Sequence, residues 1–208
     1  MNFSLGKALA NQLDDPALGT FMKGLLAGAG VDTTLDVPTG YIVTRFQGDG
    51  VQFLSCRINT GAPEGKAVRL GRKMQVYDVR LGRDLGVVDE IIPSSGAGKN
   101  TLYTLSETTI PGFDLKMSGK PVRGKALGIA LTPQASKGGA AVKRFYRLSV
   151  FSPDGVEQLP LRDFQWSKGP VNFQVPLAWN FPAGAHRVEV TDILTGQKQS
   201  LTIDLSNK

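Results

Sequence analysis

Residues 171–193 read VNFQVPLAWNFPAGAHRVEVTDI. Phe173, Val175, Leu177 and Trp179 fall on every second position, Phe181-Pro182-Ala183-Gly184 interrupts, and Val188 and Val190 resume the alternation. A period of two places successive side chains on opposite faces of a pleated strand, and a Pro/Gly cluster between two such runs marks a turn. The segment therefore predicts two strands, Val171–Trp179 and Arg187–Ile193, with Phe173, Val175, Leu177 and Trp179 facing a core. Around it, Ala126–Thr132, Phe145–Phe151 and Ser200–Leu205 alternate or run apolar, punctuated by Ser152-Pro153-Asp154-Gly155 and Leu194-Thr195-Gly196. Several short strands at this spacing indicate an immunoglobulin-like sandwich over residues 113–208, without the Cys…Trp…Cys signature of antibody domains.

The same period runs back to residue 38. Tyr41–Phe46 and Val51–Ile58 flank Gln47-Gly48-Asp49-Gly50, and Met74–Arg80 and Leu85–Ile91 flank Leu81-Gly82-Arg83-Asp84. Thr101–Ser106 follows the Gly/Ser-rich loop Ser94–Gly98. These predict a second small β-sandwich over residues 38–112, with the boundary near Pro111–Pro121. Residues 1–37 differ. Phe3 and Leu5 suggest a short strand. Asp15 can cap a helix in which Pro16 takes the first position and Leu18, Phe21, Met22, Leu25 and Leu26 form one apolar stripe. Gly28 and Gly30 end it. The expected fold is mainly β: two β-sandwich modules, the second immunoglobulin-like, preceded by a short strand and one amphipathic helix. Five apolar side chains on one stripe need cover, so Leu18, Phe21, Met22, Leu25 and Leu26 are candidates for self-association.

At 208 residues and 41% hydrophobic, the chain is long enough for two small cores. Its formal charge is +6, with basic groups at Arg69–Arg72–Lys73, Lys120–Arg123–Lys125 and Lys143–Arg144–Arg147. Few aromatic residues lie among them to stack bases, which disfavours nucleic acid as a partner. Cys56, the one cysteine, alternates with Leu54 and Ile58 and reads as a small buried hydrophobe. No apolar run approaches the ~20 residues of a membrane helix, and no membrane partner is expected. The start of the chain lacks the basic-then-apolar pattern of a secretory signal, so export by that route is not expected.

Catalytic patterns fail one by one. The one histidine, His186, cannot supply a two-histidine zinc motif, and no G-x-S-x-G elbow accompanies it. It reads as a partly buried residue at a strand start. Ser95–Thr101 resembles a phosphate loop, but Pro93 stands in the first glycine position and Asn100 follows the lysine. Gly28-x-Gly30 ends a helix instead of opening one and has Thr33 for its third glycine. Asp89 and Glu90 are strand neighbours and point to opposite faces, so they cannot form the facing pair of a glycosidase. No catalytic residue, metal site or cofactor is expected. Trp166, beside Gln165, Ser167 and Lys168, is the candidate for an exposed ring that could stack on a sugar. A structural role is nevertheless its favoured reading.

Three segments together resemble the C-terminal region of bacterial beta-galactosidase-like glycoside hydrolases. Asn2–Leu9 with the helix through Leu25–Val31 is similar to the last strand and helix of their flavodoxin-like middle domain. Val76–Gly86 looks like the hairpin of the small β domain that follows. Tyr146–Asp154 with Leu177–Gly196 looks like an appended immunoglobulin-like module, in which an aromatic-x-Val-x-Val-x-Asp run follows a Pro-x-Gly turn. Here the turn is Pro182-Ala183-Gly184 and His186 holds the aromatic position. The resemblance implies a non-catalytic accessory or structural module of a larger carbohydrate-active protein. The catalytic barrel would lie upstream, and none of its residues can be carried over. The implied partners are that missing upstream catalytic domain or a second copy of the chain. The alternatives are a free-standing carbohydrate-binding protein and a basic adaptor for nucleic acid or an anionic surface.

Overall fold

The computed structural model describes residues 35–48, 50–93, 98–135 and 142–205, together with Thr20, Phe21, Gly24, Leu25 and Gly28. The chain is mainly β. Its strands are β1 (Tyr41–Gln47), β2 (Gln52–Ile58), β3 (Val68–Asp78), β4 (Arg83–Ile91), β5 (Asn100–Ser106), β6 (Phe113–Ser118), β7 (Lys125–Pro133), β8 (Arg144–Phe151), β9 (Asp163–Ser167), β10 (Val171–Leu177), β11 (Gly184–Asp192) and β12 (Lys198–Leu205). One turn of 3-10 helix, Leu159–Leu161, precedes β9.

The chain divides into two compact units: residues 1–43, 56–73 and 88–100 form one, and residues 44–55, 74–87 and 101–208 the other. Strands β1–β5 lie in one five-stranded sheet of order β1-β2-β5-β3-β4. Along β2 the two-residue period buries Leu54, Cys56 and Ile58. Burial pushes the Cys56 thiol up to about 12, so it stays protonated and unreactive at neutral pH. In the first unit, Tyr41 Oη ties the Asn59–Lys66 loop by donating to the Pro63 carbonyl at 3.0 Å and accepting from Lys66 N at 3.1 Å.

The second unit contains a sandwich of two antiparallel sheets, β10-β7-β6 and β12-β11-β8-β9. Register is continuous from Val171↔Leu131 to Leu177↔Lys125 in the first and from Arg187↔Phe151 to Asp192↔Tyr146 in the second. The period of two makes the inner faces apolar. Leu127, Ile129 and Leu131 of β7 and Phe173, Val175 and Leu177 of β10 meet Tyr146, Leu148 and Val150 of β8 and Val188 and Val190 of β11 in one core. Three strands against four, with β6 and β10 flanking β7 and β8 and β12 flanking β11, is an immunoglobulin-like Greek-key arrangement in which the fourth strand, β9, pairs with β8.

Two strands of this sandwich are absent from the sequence reading. β6 carries Phe113, Leu115 and Met117 on alternate positions, and β9 carries Phe164 and Trp166. Trp179 corrects the sequence reading. β10 ends at Leu177, so the chain leaves the sheet before Trp179, which is 81% exposed instead of buried in the core. His186 lies deeper than expected. It is fully buried against Phe181, and its Nε2–H donates to the Pro182 carbonyl at 3.0 Å, fixing the turn before β11 from four residues on. An aromatic-position residue bonding back to the preceding turn is how sandwiches of this kind secure that corner.

Among the described N-terminal residues, Thr20, Phe21, Gly24, Leu25 and Gly28 are helical. Leu18, Met22 and Leu26 of the stripe, and the strand expected at Phe3 and Leu5, lie outside the described residues.

Candidate functional site

β9 ends its sheet and, among the described residues, pairs with β8. Its register, Phe145↔Trp166 and Arg147↔Phe164, puts these four side chains on the outer face of the sheet, away from the core that Tyr146 and Leu148 enter. The Phe145 and Phe164 rings stack at 5.6 Å with planes 10° apart, and Phe145 and Trp166 meet at 5.3 Å with a 50° tilt. Lys143 Nζ lies 5.5 Å from the Trp166 ring centre, within cation–π range. Trp166 remains 48% exposed and Phe164 is exposed with it. Three rings thus adjoin on a solvent-facing surface, where scattered single apolar residues would be ordinary.

The same face turns charged toward the other edge. Glu157 accepts from Arg162 through Nε at 3.0 Å and Nη2 at 2.7 Å, and Arg147 Nη2 lies 3.6 Å away. The Arg162 hydrogen bond, then that of Ser149, holds the Glu157 carboxyl down at about 2. Beyond it Glu189 pairs with Arg187 and with Lys198 at 3.0 Å. Burial alone would raise the Glu189 carboxyl, but these two cations together hold it below its ordinary value. The Arg187 guanidinium lies 3.9 Å from the Phe151 ring centre. The surface therefore pairs an aromatic corner with mutually neutralised ions.

Trp166, the sequence candidate for an exposed ring, belongs to this corner, and Phe145 and Phe164 join it there without having been expected. The signal for them was present: Phe164-x-Trp166 is a two-residue alternation, and Phe145 opens the apolar run of β8. Phe21 and Leu25, at 63% and 54% exposure, stand apart as exposed helical positions. Lys99, the lysine of the phosphate-loop near miss, leads directly into β5 and not into a helix. Asp89 and Glu90 sit side by side on β4. Among the described residues no group of three or more His, Cys, Asp or Glu side chains converges to hold a metal ion. Nor is any helix among them long and apolar enough to cross a membrane.

No family model and no curated protein matches the chain. Among solved structures, the chicken interferon gamma receptor alpha chain is similar at 10% identity and a TM-score of 0.31, covering 83% of this chain and 100% of that one. What defines the class is the strand order itself: a mainly β protein whose larger unit contains an immunoglobulin-like sandwich.

Proposed function

We propose that this chain is a non-catalytic accessory β module of a larger carbohydrate-active protein, and that the outer face of β8–β9 is its contact surface. The observation that carries the reading is the adjoining, solvent-facing cluster of Phe145, Phe164 and Trp166. Rigid aromatic side chains are the usual anchors of interfaces, because they cover much area at little entropic cost. The link to carbohydrate-active proteins rests on the resemblance of Asn2–Leu9 with Leu25–Val31, of Val76–Gly86, and of Tyr146–Asp154 with Leu177–Gly196.

Two measurements test it. The reading frame upstream of Met1 is expected to encode a catalytic barrel, and that barrel, added in trans, is expected to bind this chain. Changing Phe164 and Trp166 together to Ala should then weaken binding by roughly tenfold or more, the loss of a buried aromatic anchor. Binding that is indifferent to both changes would remove the cluster from the interface. A second reading, direct contact with sugar, is favoured by the half-exposed Trp166 indole flanked by Gln165 and Ser167. Oligosaccharide titration of a Trp179→Phe chain, in which Trp166 is the remaining tryptophan, decides it. The chain itself should turn over no aryl glycoside. Turnover that vanishes when one carboxylate is changed would overturn the non-catalytic reading.

A further inference from the structure

A different part of the second unit differs from its surroundings in composition. From Lys116 to Ala126 the chain carries Lys116, Lys120, Arg123 and Lys125 and no acidic residue. The three lysines are exposed, and Arg123 is half-buried with its Nε lacking a hydrogen-bond partner. Val122 is exposed in the turn among Lys120, Arg123 and Lys125, whereas Lys116 and Met117 precede it on opposite faces of β6. Register places Lys125 opposite Leu177, and Gly124 N donates to the Leu177 carbonyl at 2.6 Å, so the β6–β7 turn lies beside the turn that follows β10. That second turn, Ala178–Ala183, carries no charge and presents Trp179.

Trp179 is supported in its exposed position. Gly124 has φ +79, and a Cβ built on it would stand 2.3 Å from Trp179 Cε2 and 2.8 Å from Nε1. The indole therefore rests against bare backbone on one side while 81% of the residue stays open to solvent. At the same end, Asp154 turns its carboxylate to its own loop, accepting from Ser152 Oγ at 2.5 Å, and Asp204 lies opposite Ala185 on β12. Both are exposed, and both lie outside the run of cations between Lys116 and Lys125.

We infer that this tip is a peripheral docking site for an anionic lipid surface. Trp179 and Val122 enter the headgroup–acyl boundary, and Lys120, Arg123 and Lys125 face the lipid phosphates. Charge complementarity selects the partner: a cationic rim attracts an anionic leaflet, and tryptophan has an amphipathic ring suited to the membrane–water interface. A single ring beside an aliphatic side chain suits acyl chains better than a strand of bases, which calls for successive stacking rings. The sequence alone gave no reason to expect a membrane partner, because the apolar members of the tip come from two turns 57 positions apart (Val122 and Trp179).

The test uses the full chain with Trp166→Phe, so that Trp179 is the remaining tryptophan. It is mixed with vesicles of phosphatidylcholine, with and without phosphatidylglycerol. Expected are co-sedimentation and a blue-shifted emission with the anionic vesicles, and quenching of Trp179 by brominated acyl chains, which needs no change in the tip. Lys120→Gln and Lys125→Gln should each weaken binding by about fivefold, the worth of one basic residue near such a surface. Added salt should weaken it further. Equal behaviour toward neutral and anionic vesicles, or an unshifted and unquenched Trp179, would overturn the proposal. So would binding of a single-stranded oligonucleotide in place of vesicles.

Discussion

Arg144 at the start of β8 and Asp192 at the end of β11 form a buried ion pair, with Arg144 Nε donating to Asp192 Oδ2 at 2.8 Å and Nη2 reaching the same oxygen. Each partner has a second task. Arg144 Nη1 donates to the Gly112 carbonyl at 3.0 Å, just before β6, and its guanidinium packs against the Phe113 and Tyr146 rings. Asp192 Oδ1 accepts from Leu194 N at 2.9 Å, and its own carbonyl accepts from Gly196 N at 2.8 Å, shaping the β11–β12 turn. The pair thus joins the entry to the sandwich to a turn between its last two strands.

Breaking it should cost far more than its net worth, because the survivor is left charged and buried. Asp192→Asn and Arg144→Met are each expected to destabilise the chain by about 3–5 kcal/mol in denaturant unfolding. Replacing both with apolar residues should recover much of the loss. A single change costing under about 1 kcal/mol would mean that solvent reaches the site.

The β11–β12 turn also meets the β3–β4 turn within the second unit. Gly196, at φ +74, would place a Cβ 2.1 Å from Gly82 Cα. Beside it Leu194 packs in a small core with Val51, Tyr77 and Ile110, and Ile110 N donates to Tyr77 Oη at 2.9 Å. Gly196→Ala therefore faces a strained backbone, worth about 1–2 kcal/mol, and a clash with main chain that cannot rotate away. Gly155→Ala, equally left-handed at φ +83 but with open space around it, pays the strain alone. Thermal unfolding of the two variants separates the terms. Equal losses would mean that the two turns part without cost.

Much of the sandwich was legible because burial there follows a strict period of two. Phe173, Val175, Leu177, Val188 and Val190 all enter the core as the alternation required. Trp179 misled because alternation says nothing about where a strand stops, and the strand gave out at Leu177. β6 and β9 were missed for the opposite reason. At six and five residues, with Asp114, Lys116, Asp163 and Gln165 interleaved, they are too short for a period to stand out from a polar loop. The aromatic corner was half legible. Trp166 could be singled out by itself, but its meeting with Phe145 depends on a register between residues 21 positions apart, which no local pattern encodes.

Glu157 offers a check on the charged part of that face. Its carboxyl sits at about 2 against an ordinary 4.5, because Arg162 and Ser149 bond to the ionised form. A depressed folded value means the stabilisation is present above the ordinary value and is lost as pH falls from about 4.5 toward 2. The cluster faces solvent, so the effect on stability should be small and salt-sensitive. NMR titration should find Glu157 still ionised at pH 3.5, and Arg162→Ala should return it toward the ordinary carboxylate range. Titration of the unmodified protein near 4.5 would mean the ion pair is not maintained in solution.

The N-terminal helix carries the last expectation. Phe21 and Leu25 are one turn apart on one side of the helix and are 63% and 54% exposed. Fully burying one such side chain is worth about 1.5–3 kcal/mol, so leaving both in water forfeits a sum comparable to a substantial part of a domain's net stability. A second copy of the same helix offers an apolar stripe that matches by symmetry, because a two-fold axis brings each residue near its counterpart. The chain is therefore expected to self-associate, with an apparent mass in sedimentation that rises with concentration. Phe21→Asp with Leu25→Asp should shift it to monomer while leaving far-UV dichroism dominated by strand, since the sandwich core contains neither residue. A clean monomer at high concentration, with the helix amides protected from hydrogen exchange, would show instead that the stripe is covered within the chain.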